Sequence, residues 1–137
     1  MDSCVIIAAM LSPTGGSSLI LTTFDQKQFL FETNEYAMTE MKNSFSKKFK
    51  DPQLVDQLHL LIGVSQISVI PNPDIAFIKR MERYVPKSDA TIMASAIIHS
   101  DYLLTLDNGF FSDAAIALAD RQKVRVLKPK DFIELFR

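Results

Sequence analysis

Short apolar segments alternate along this chain with longer segments in which apolar residues recur at helical spacing. The short segments are rich in aromatic and β-branched residues, which is typical of buried strands. They cover residues 29–31, 67–70, 102–106 and 124–127. The longer segments predict helices over residues 19–24, 34–49, 51–63, 74–84, 88–99 and 112–121, with a last helix after Pro129.

Capping residues and apolar stripes support several of these helices. The candidate caps are Ser17 or Ser18, Thr33 or Asn34, Asp51 before Pro52, and Ser88. In the helix over 34–49, one stripe at helical spacing consists of Ala37, Met38, Met41 and Phe45. The alternation of such helices with short apolar strands predicts a three-layer α/β fold with a central, mainly parallel sheet flanked by helices.

Length and charge narrow the class of protein. The 137 residues fit a single domain, residues 1–137, and the Ser/Gly/Pro-rich residues 12–18 predict a loop within it. The formal net charge is −1, which excludes a protein that holds nucleic acid through a uniformly positive surface. Any contact with nucleic acid is therefore expected to be local.

The cysteine and histidine content excludes two further classes. The single cysteine, Cys4, cannot form an intramolecular disulfide, and two histidines with one cysteine cannot build a Cys/His zinc site. The apolar runs are too short to span a bilayer, and the first one lacks the basic flank of a signal peptide. We therefore expect a cytoplasmic protein without a membrane anchor.

Carboxylates occur where ligands collect in parallel sheets, beyond the carboxyl ends of the strands. Asp107 directly follows the strand over 102–106, and Asp89 lies at the start of a helix. Glu40 lies in the first two turns of a helix that follows a strand, and Asp2 precedes an apolar stretch. Because carboxylates repel one another unless a cation offsets their charge, convergence of these side chains would imply a hard divalent cation such as Mg²⁺ or Mn²⁺.

The segments that contain these acids resemble a known family. Residues 2–13, 36–41, 88–96 and 101–107 are similar, in order and spacing, to the four acidic motifs of PIN domains. Asp89-Ala90, with the small residues of the same helix, followed by Thr105-Leu106-Asp107 after an apolar strand, is the most specific part of the resemblance. The resemblance covers nearly the whole chain.

Membership of this family would imply a metal-dependent endoribonuclease, with Mg²⁺ or Mn²⁺ bound by Asp2, Glu40, Asp89 and Asp107. Thr105 would be a hydroxyl that supports the acidic cluster. Hydrolysis would leave a 5′-phosphate and a 3′-hydroxyl. Single-domain prokaryotic relatives are often toxins of VapBC-type toxin–antitoxin pairs, so the resemblance also implies an RNA substrate, a cognate antitoxin and homodimerisation.

The family's first acid stands at the end of a central strand, whereas here only Met1 precedes Asp2. We therefore expect this N-terminal central strand to be truncated, with either an upstream translation start or another segment to fill the gap. Cys4 stands where many relatives have Asn, and Gly109 where some have another acid.

Other interpretations remain open. A PIN-like module without catalysis, which binds RNA or a protein, is the main alternative, and an enzyme acting on a small phosphorylated molecule is a third. Three of the acids also have an ordinary explanation: Asp89 as a helix-start residue, Asp107 as a turn residue and Glu40 as a solvated residue. The basic residues Lys42, Lys47 and Lys48 are candidate RNA phosphate contacts or simply a solvated face.

Overall fold

The strands of this protein form two separate parallel pairs. The computed structural model describes residues 1–137 and shows a mixed α/β fold with eight α-helices. The strands are β1 (Glu32–Asn34), β2 (Ser68–Ile70), β3 (Tyr102–Leu104) and β4 (Arg125–Leu127). The helices are α1 (Ser3–Leu11), α2 (Gly16–Thr23), α3 (Glu35–Asn43), α4 (Gln53–Val64), α5 (Ile75–Met81), α6 (Ala90–His99), α7 (Asp113–Arg121) and α8 (Pro129–Phe136).

The parallel pairing confirms part of the predicted architecture, but the sheet is divided. β1 pairs with β2, and β3 pairs with β4. Residues Met1 and Asp2 lie between the two pairs: the Met1 amino group donates to the carbonyl of Glu32 in β1, and the Asp2 N–H donates to the carbonyl of Leu104 in β3 at 3.0 Å. The two strand pairs are therefore separate, and Met1 and Asp2 bridge them at one end.

Helices cover both faces of the strands, and each face has its own apolar core. Leu103 belongs to a core formed mainly with α3, α6 and α7. Its neighbour Leu104 belongs to a second core formed with α1, α2 and α8. Because successive side chains of a strand point to opposite faces, this division explains why the third strand is apolar on both faces.

Several predicted element boundaries were wrong. The strand predicted over 29–31 begins instead at Glu32, and Leu30 is 89% exposed. The strand over 102–106 ends at Leu104. α2 begins at Gly16, after Gly15 rather than after a serine cap. Ser88 does not cap α6, because residues Lys87–Asp89 form a 3₁₀ turn and α6 begins at Ala90.

The helix predicted over 34–49 is two elements. α3 begins after Asn34, whose Oδ1 accepts the N–H of Ala37 at 2.8 Å, as its role as a candidate cap predicts. The following Ser44–Lys48 segment is a π-helical turn. The predicted apolar stripe is nevertheless buried along both elements, from Ala37 to Phe45.

No single helix is both long and apolar enough to cross a membrane. Only α1 and α2 together reach the required length and composition, and they are bent by 93° relative to each other.

Candidate functional site

Asp2 lies at the start of α1 with its side chain turned towards the end of β3. The residue is only 6% exposed. Its Oδ2 accepts the hydroxyl of Thr105 at 2.7 Å and the thiol of Cys4 at 3.2 Å, and its Oδ1 accepts the Ser3 hydroxyl at 3.4 Å. These donors fix the carboxylate at the point where Met1 and Asp2 meet the strands.

Thr105 links two of the candidate acids. Its side chain is fully buried directly after β3. While its hydroxyl donates to Asp2, the same oxygen accepts the backbone N–H of Asp107 at 3.0 Å. The Asp107 carboxylate in turn accepts the N–H of Gly109 at 2.8 Å and so caps a 3₁₀ turn over Asn108–Phe111. The loop after β3 is thereby held against Asp2.

Gly109 brings this loop against Asp89. A Cβ atom built at Gly109 would lie 2.5 Å from Oδ2 of Asp89 and 3.2 Å from the ring of Pro86. Real Cβ atoms do not approach oxygen so closely, so a larger residue here would displace the Asp89 carboxylate. The space left by the missing side chain is therefore what allows Asp89 to lie beside Asp107.

The pKa values of Glu40, in α3, and of Asp89, directly before α6, are strongly raised. Burial, and then the charges of Asp2 and Asp89, raise the pKa of Glu40 to about 7. Burial, and then the charge of Asp107, raise the pKa of Asp89 to about 6. Since the charges of Asp2, Asp89 and Asp107 act on Glu40, and those of Asp107 and Asp2 act on Asp89, the four carboxylates lie in one electrostatic neighbourhood.

A buried amide network positions the two helices that present these acids. Nδ2 of Asn34 donates to the hydroxyl of Ser95 at 2.8 Å and more weakly to the carbonyl of Thr91 at 3.4 Å. Since Asn34 also caps α3, one side chain ties the start of the Glu40 helix to α6. Sequence reasoning identified Asn34 as a possible cap but missed its link to Ser95.

Tyr36 and Cys4 lie beside the acidic cluster. Burial and the charges of Glu40 and Asp89 raise the pKa of the Tyr36 phenol, so it stays a neutral hydroxyl. Burial and the charge of Asp2 raise the pKa of the Cys4 thiol to about 11. Cys4 is therefore a poor nucleophile.

The donor set is one that a hard divalent cation prefers, since it consists of carboxylate oxygens with an adjacent hydroxyl. No Lys or Arg side chain forms an ion pair with these acids, because the one side-chain ion pair joins Lys130 to Glu134 at 3.9 Å on the surface. As the side chains stand, no three His, Cys, Asp or Glu residues are grouped closely enough to hold one ion. The acids share one region of the protein, but their side chains are not arranged as a metal site.

The candidate RNA contacts lie on the surface beyond Glu40. Lys42 is in the last turn of α3, and Lys47 and Lys48 are in the π-helical turn. All three are exposed and none forms an ion pair. His59 and His99 are also exposed, and neither belongs to a metal-binding group.

In comparisons with protein-family models, curated proteins and solved structures, nothing gave a significant match to this chain.

Proposed function

We propose that this protein is a divalent-metal-dependent endoribonuclease with a PIN-like fold. The observation that supports the proposal most directly is the convergence of four carboxylates, from four separate parts of the chain, without a compensating cationic side chain. Burial, and then the charges of neighbouring carboxylates, raise the pKa of both Glu40 and Asp89. Such an arrangement is costly in a folded protein because the carboxylates repel one another. Binding a cation would offset this repulsion.

The residues that would hold Mg²⁺ or Mn²⁺ are Asp2, Glu40, Asp89 and Asp107. When bound, the metal would activate a water molecule and neutralise charge on the scissile phosphate, which are the two requirements of phosphodiester hydrolysis. The Thr105 hydroxyl donates to the Asp2 carboxylate, and its oxygen accepts the backbone N–H of Asp107, so that it orients both residues. No side chain in the cluster has to form a covalent bond to the substrate.

Protons held by Glu40 and Asp89 give the site a pH-dependent affinity for metal. Around neutral pH, a group with a pKa of about 7 is only partly ionised. Metal ligation requires the ionised form, so binding would release protons and strengthen as the pH rises towards and beyond that value. The cluster would thus be neutralised by protons in the absence of metal and by metal in its presence.

The resemblance to PIN domains supports the remaining parts of the proposal. RNA is the substrate that this resemblance implies, and Lys42, Lys47 and Lys48 would contact its phosphates beside Glu40. We further propose that the protein is the cytoplasmic toxin of a toxin–antitoxin pair, with a cognate antitoxin that covers the acidic region and with a second copy of the chain as a partner.

Cleavage of a panel of labelled RNAs tests the activity. The wild-type chain, Asp107→Asn and Asp101→Asn would be compared in Mn²⁺ and in EDTA, after circular dichroism shows that each is folded. Asp101→Asn is the matched control, because Asp101 is an exposed aspartate at the other end of β3. Metal-dependent cleavage by the wild type and the control, with loss in Asp107→Asn, is expected.

Cleavage that is equal in all three proteins would contradict the proposal. A folded wild type that binds RNA without cutting it would instead favour the non-catalytic RNA-binding module. Turnover of small phosphate esters without RNA cleavage would favour the third interpretation.

A further inference from the structure

The inner edges of β1 and β3 face each other across a gap. β1 and β3 are each paired with only one other strand, β2 and β4 respectively. In a parallel pair, alternate residues of a strand direct their N–H and C=O groups to the same neighbour. Each inner strand therefore has a second row of backbone groups directed away from its partner and into the gap.

The observed hydrogen bonds identify these groups. Directly before β1, the Phe31 carbonyl accepts the Ser68 N–H at 2.9 Å, so the N–H and carbonyl of Glu32 face the gap. Next to β3, the Asp101 carbonyl accepts from Arg125 at 2.9 Å. At the other end of β3, the Thr105 N–H donates to the carbonyl of Leu127 at 3.1 Å. It follows that Tyr102 and Leu104 face the gap from the other side.

Met1 and Asp2 already follow the pattern of a central strand at one end of this gap. The Met1 nitrogen donates to the Glu32 carbonyl on the β1 side, and the next nitrogen, of Asp2, donates to the Leu104 carbonyl on the β3 side. In a strand that is hydrogen-bonded to a parallel neighbour on each side, consecutive backbone N–H groups donate alternately to the two neighbours. In the rest of the gap, no hydrogen bond from a loop, turn or side chain reaches the Glu32 N–H, the Leu104 N–H or the Tyr102 carbonyl.

The gap continues into open space on both faces of the strands. On one face it opens into a cleft of about 610 Å³. The apolar side chains that line this cleft include Phe29, Phe31, Leu104, Phe132 and Phe136. On the other face, a small cavity of about 20 Å³ is bounded by residues that include Asn34, Ile92 and Ser95. Met1, Glu32 and Tyr102 border both spaces, so these are the two sides of one slot.

We propose that this slot accepts an extended apolar segment of polypeptide, joined to Met1 through a peptide bond and parallel to β1 and β3. The Met1 amino group is buried at the end of the slot and donates to Glu32. If Met1 were joined to a preceding residue, its nitrogen would be an amide N–H, which donates the same hydrogen bond without a buried charge. A separate peptide would instead place its terminal carboxylate at this point. The aromatic lining fits apolar side chains on the face of the cleft.

The register of the added segment follows from the alternation. The residue attached to Met1 would donate to the Tyr102 carbonyl and accept from the Leu104 N–H, and the residue before it would accept from the Glu32 N–H. Three to four residues would match the three-residue length of β1 and β3. The result would be one continuous five-stranded parallel sheet in place of two pairs.

An N-terminal extension of the full chain tests the proposal. Four β-branched apolar residues placed before Met1 would be compared with the unextended chain and with an extension in which two of the four residues are proline. Proline cannot donate to a ladder and is the matched control. Thermal unfolding and amide hydrogen exchange at Glu32 and Leu104 are the readouts.

We expect the β-branched extension to raise Tm by several degrees and the protection of both amides by about tenfold or more, with neither change in the proline control. Equal Tm and equal exchange in the two extended chains would overturn the proposal. Protection of the same amides by the free peptide added to the unextended chain, without an effect of the covalent extension, would also overturn it, in favour of a partner strand. A two-residue extension, which spans only Tyr102 and Leu104, provides the same comparison if the longer one hinders folding.

Discussion

The hydroxyl of Thr105 donates a 2.7 Å hydrogen bond to Oδ2 of Asp2, a residue 103 positions earlier in the chain. Both side chains are buried, and the same hydroxyl oxygen accepts the N–H of Asp107. One buried oxygen thus sets the position of the N-terminal acid relative to the acid that follows β3.

Thr105→Val is expected to destabilise the protein and to weaken metal binding. The substitution keeps the shape of the side chain but leaves the Asp2 carboxylate and the Asp107 N–H without their shared partner, which costs about 1–3 kcal/mol when the groups are buried. Chemical denaturation and Mn²⁺ titration measure the two effects. Thr105→Ser retains the hydroxyl and should stay close to the wild type in both. Equal behaviour of Val and Ser would show that the hydroxyl has no such role.

Gly109→Ala is expected to displace Asp89. The added methyl group would lie within 2.5 Å of the Asp89 carboxylate, which must rotate away. Because the contact is with the end of a flexible side chain, the loss should fall on metal affinity and RNA cleavage more than on stability. Gly63→Ala is the matched control, since nothing lies within 4 Å of a Cβ there. Wild-type metal affinity in Gly109→Ala would contradict this geometry.

The stability of the metal-free protein is expected to fall as the pH rises from about 4.5 to about 7. In the folded state the pKa of Glu40 is raised from 4.5 to about 7, so within this interval the folded protein holds more protons than the unfolded chain. The contribution of Glu40 is therefore most favourable below pH 4.5 and is lost as the pH passes the folded value. Asp89 acts in the same direction, with its pKa raised from 3.8 to about 6.

Unfolding in denaturant with EDTA at several pH values measures this dependence. Glu40→Gln isolates the pH dependence due to Glu40, because glutamine does not titrate. The difference in free energy of unfolding between the wild type and Glu40→Gln should widen towards pH 7. Glu35→Gln is the control at an exposed position of the same helix. Parallel curves for wild type and Glu40→Gln would show that Glu40 is not perturbed.

Asn34→Ala is expected to be more destabilising than Ser95→Ala. The first substitution removes both the cap of α3 and the bond to α6, and loss of a cap alone costs about 0.5–2 kcal/mol. The second removes only the partner of the Asn34 amide and leaves the cap at Ala37 intact. Denaturant unfolding of the two variants gives the comparison. A larger cost for Ser95→Ala would contradict this order and would show that the buried Asn34 amide, left without its partner, outweighs the loss of the cap and the link together.

The order of helices and strands was largely predictable, because it depends on local periodicity and on capping residues. Ser112, for example, caps α7 through a 3.2 Å bond to the Ala115 N–H, and β4 and α8 follow where the pattern places them. The strand predicted over 29–31 was displaced by a few residues, since an apolar run does not reveal which of its members is exposed. Leu30 points to solvent although its neighbour Phe31 is buried.

The site was predictable only as a set of candidate residues. Asp107 follows a strand and Asp89 lies at the start of a helix, and this placement is visible in the sequence. Their mutual effect on pKa is not, because it depends on burial and on distances set by packing. The contact between Gly109 and Asp89 and the amide bond from Asn34 to Ser95 likewise join elements far apart in the chain.

Equilibrium binding of Mn²⁺ tests the central claim most directly. Electron paramagnetic resonance of free Mn²⁺ would be recorded during titration of the wild type, Asp89→Asn and Asp113→Asn at pH 7.5, the last being an exposed aspartate at the start of α7. We expect saturable binding to the wild type and to Asp113→Asn, weakened at least about tenfold in Asp89→Asn, in line with loss of one carboxylate ligand. Absence of saturable binding by the folded wild type, or equal affinity in all three proteins, would contradict this expectation.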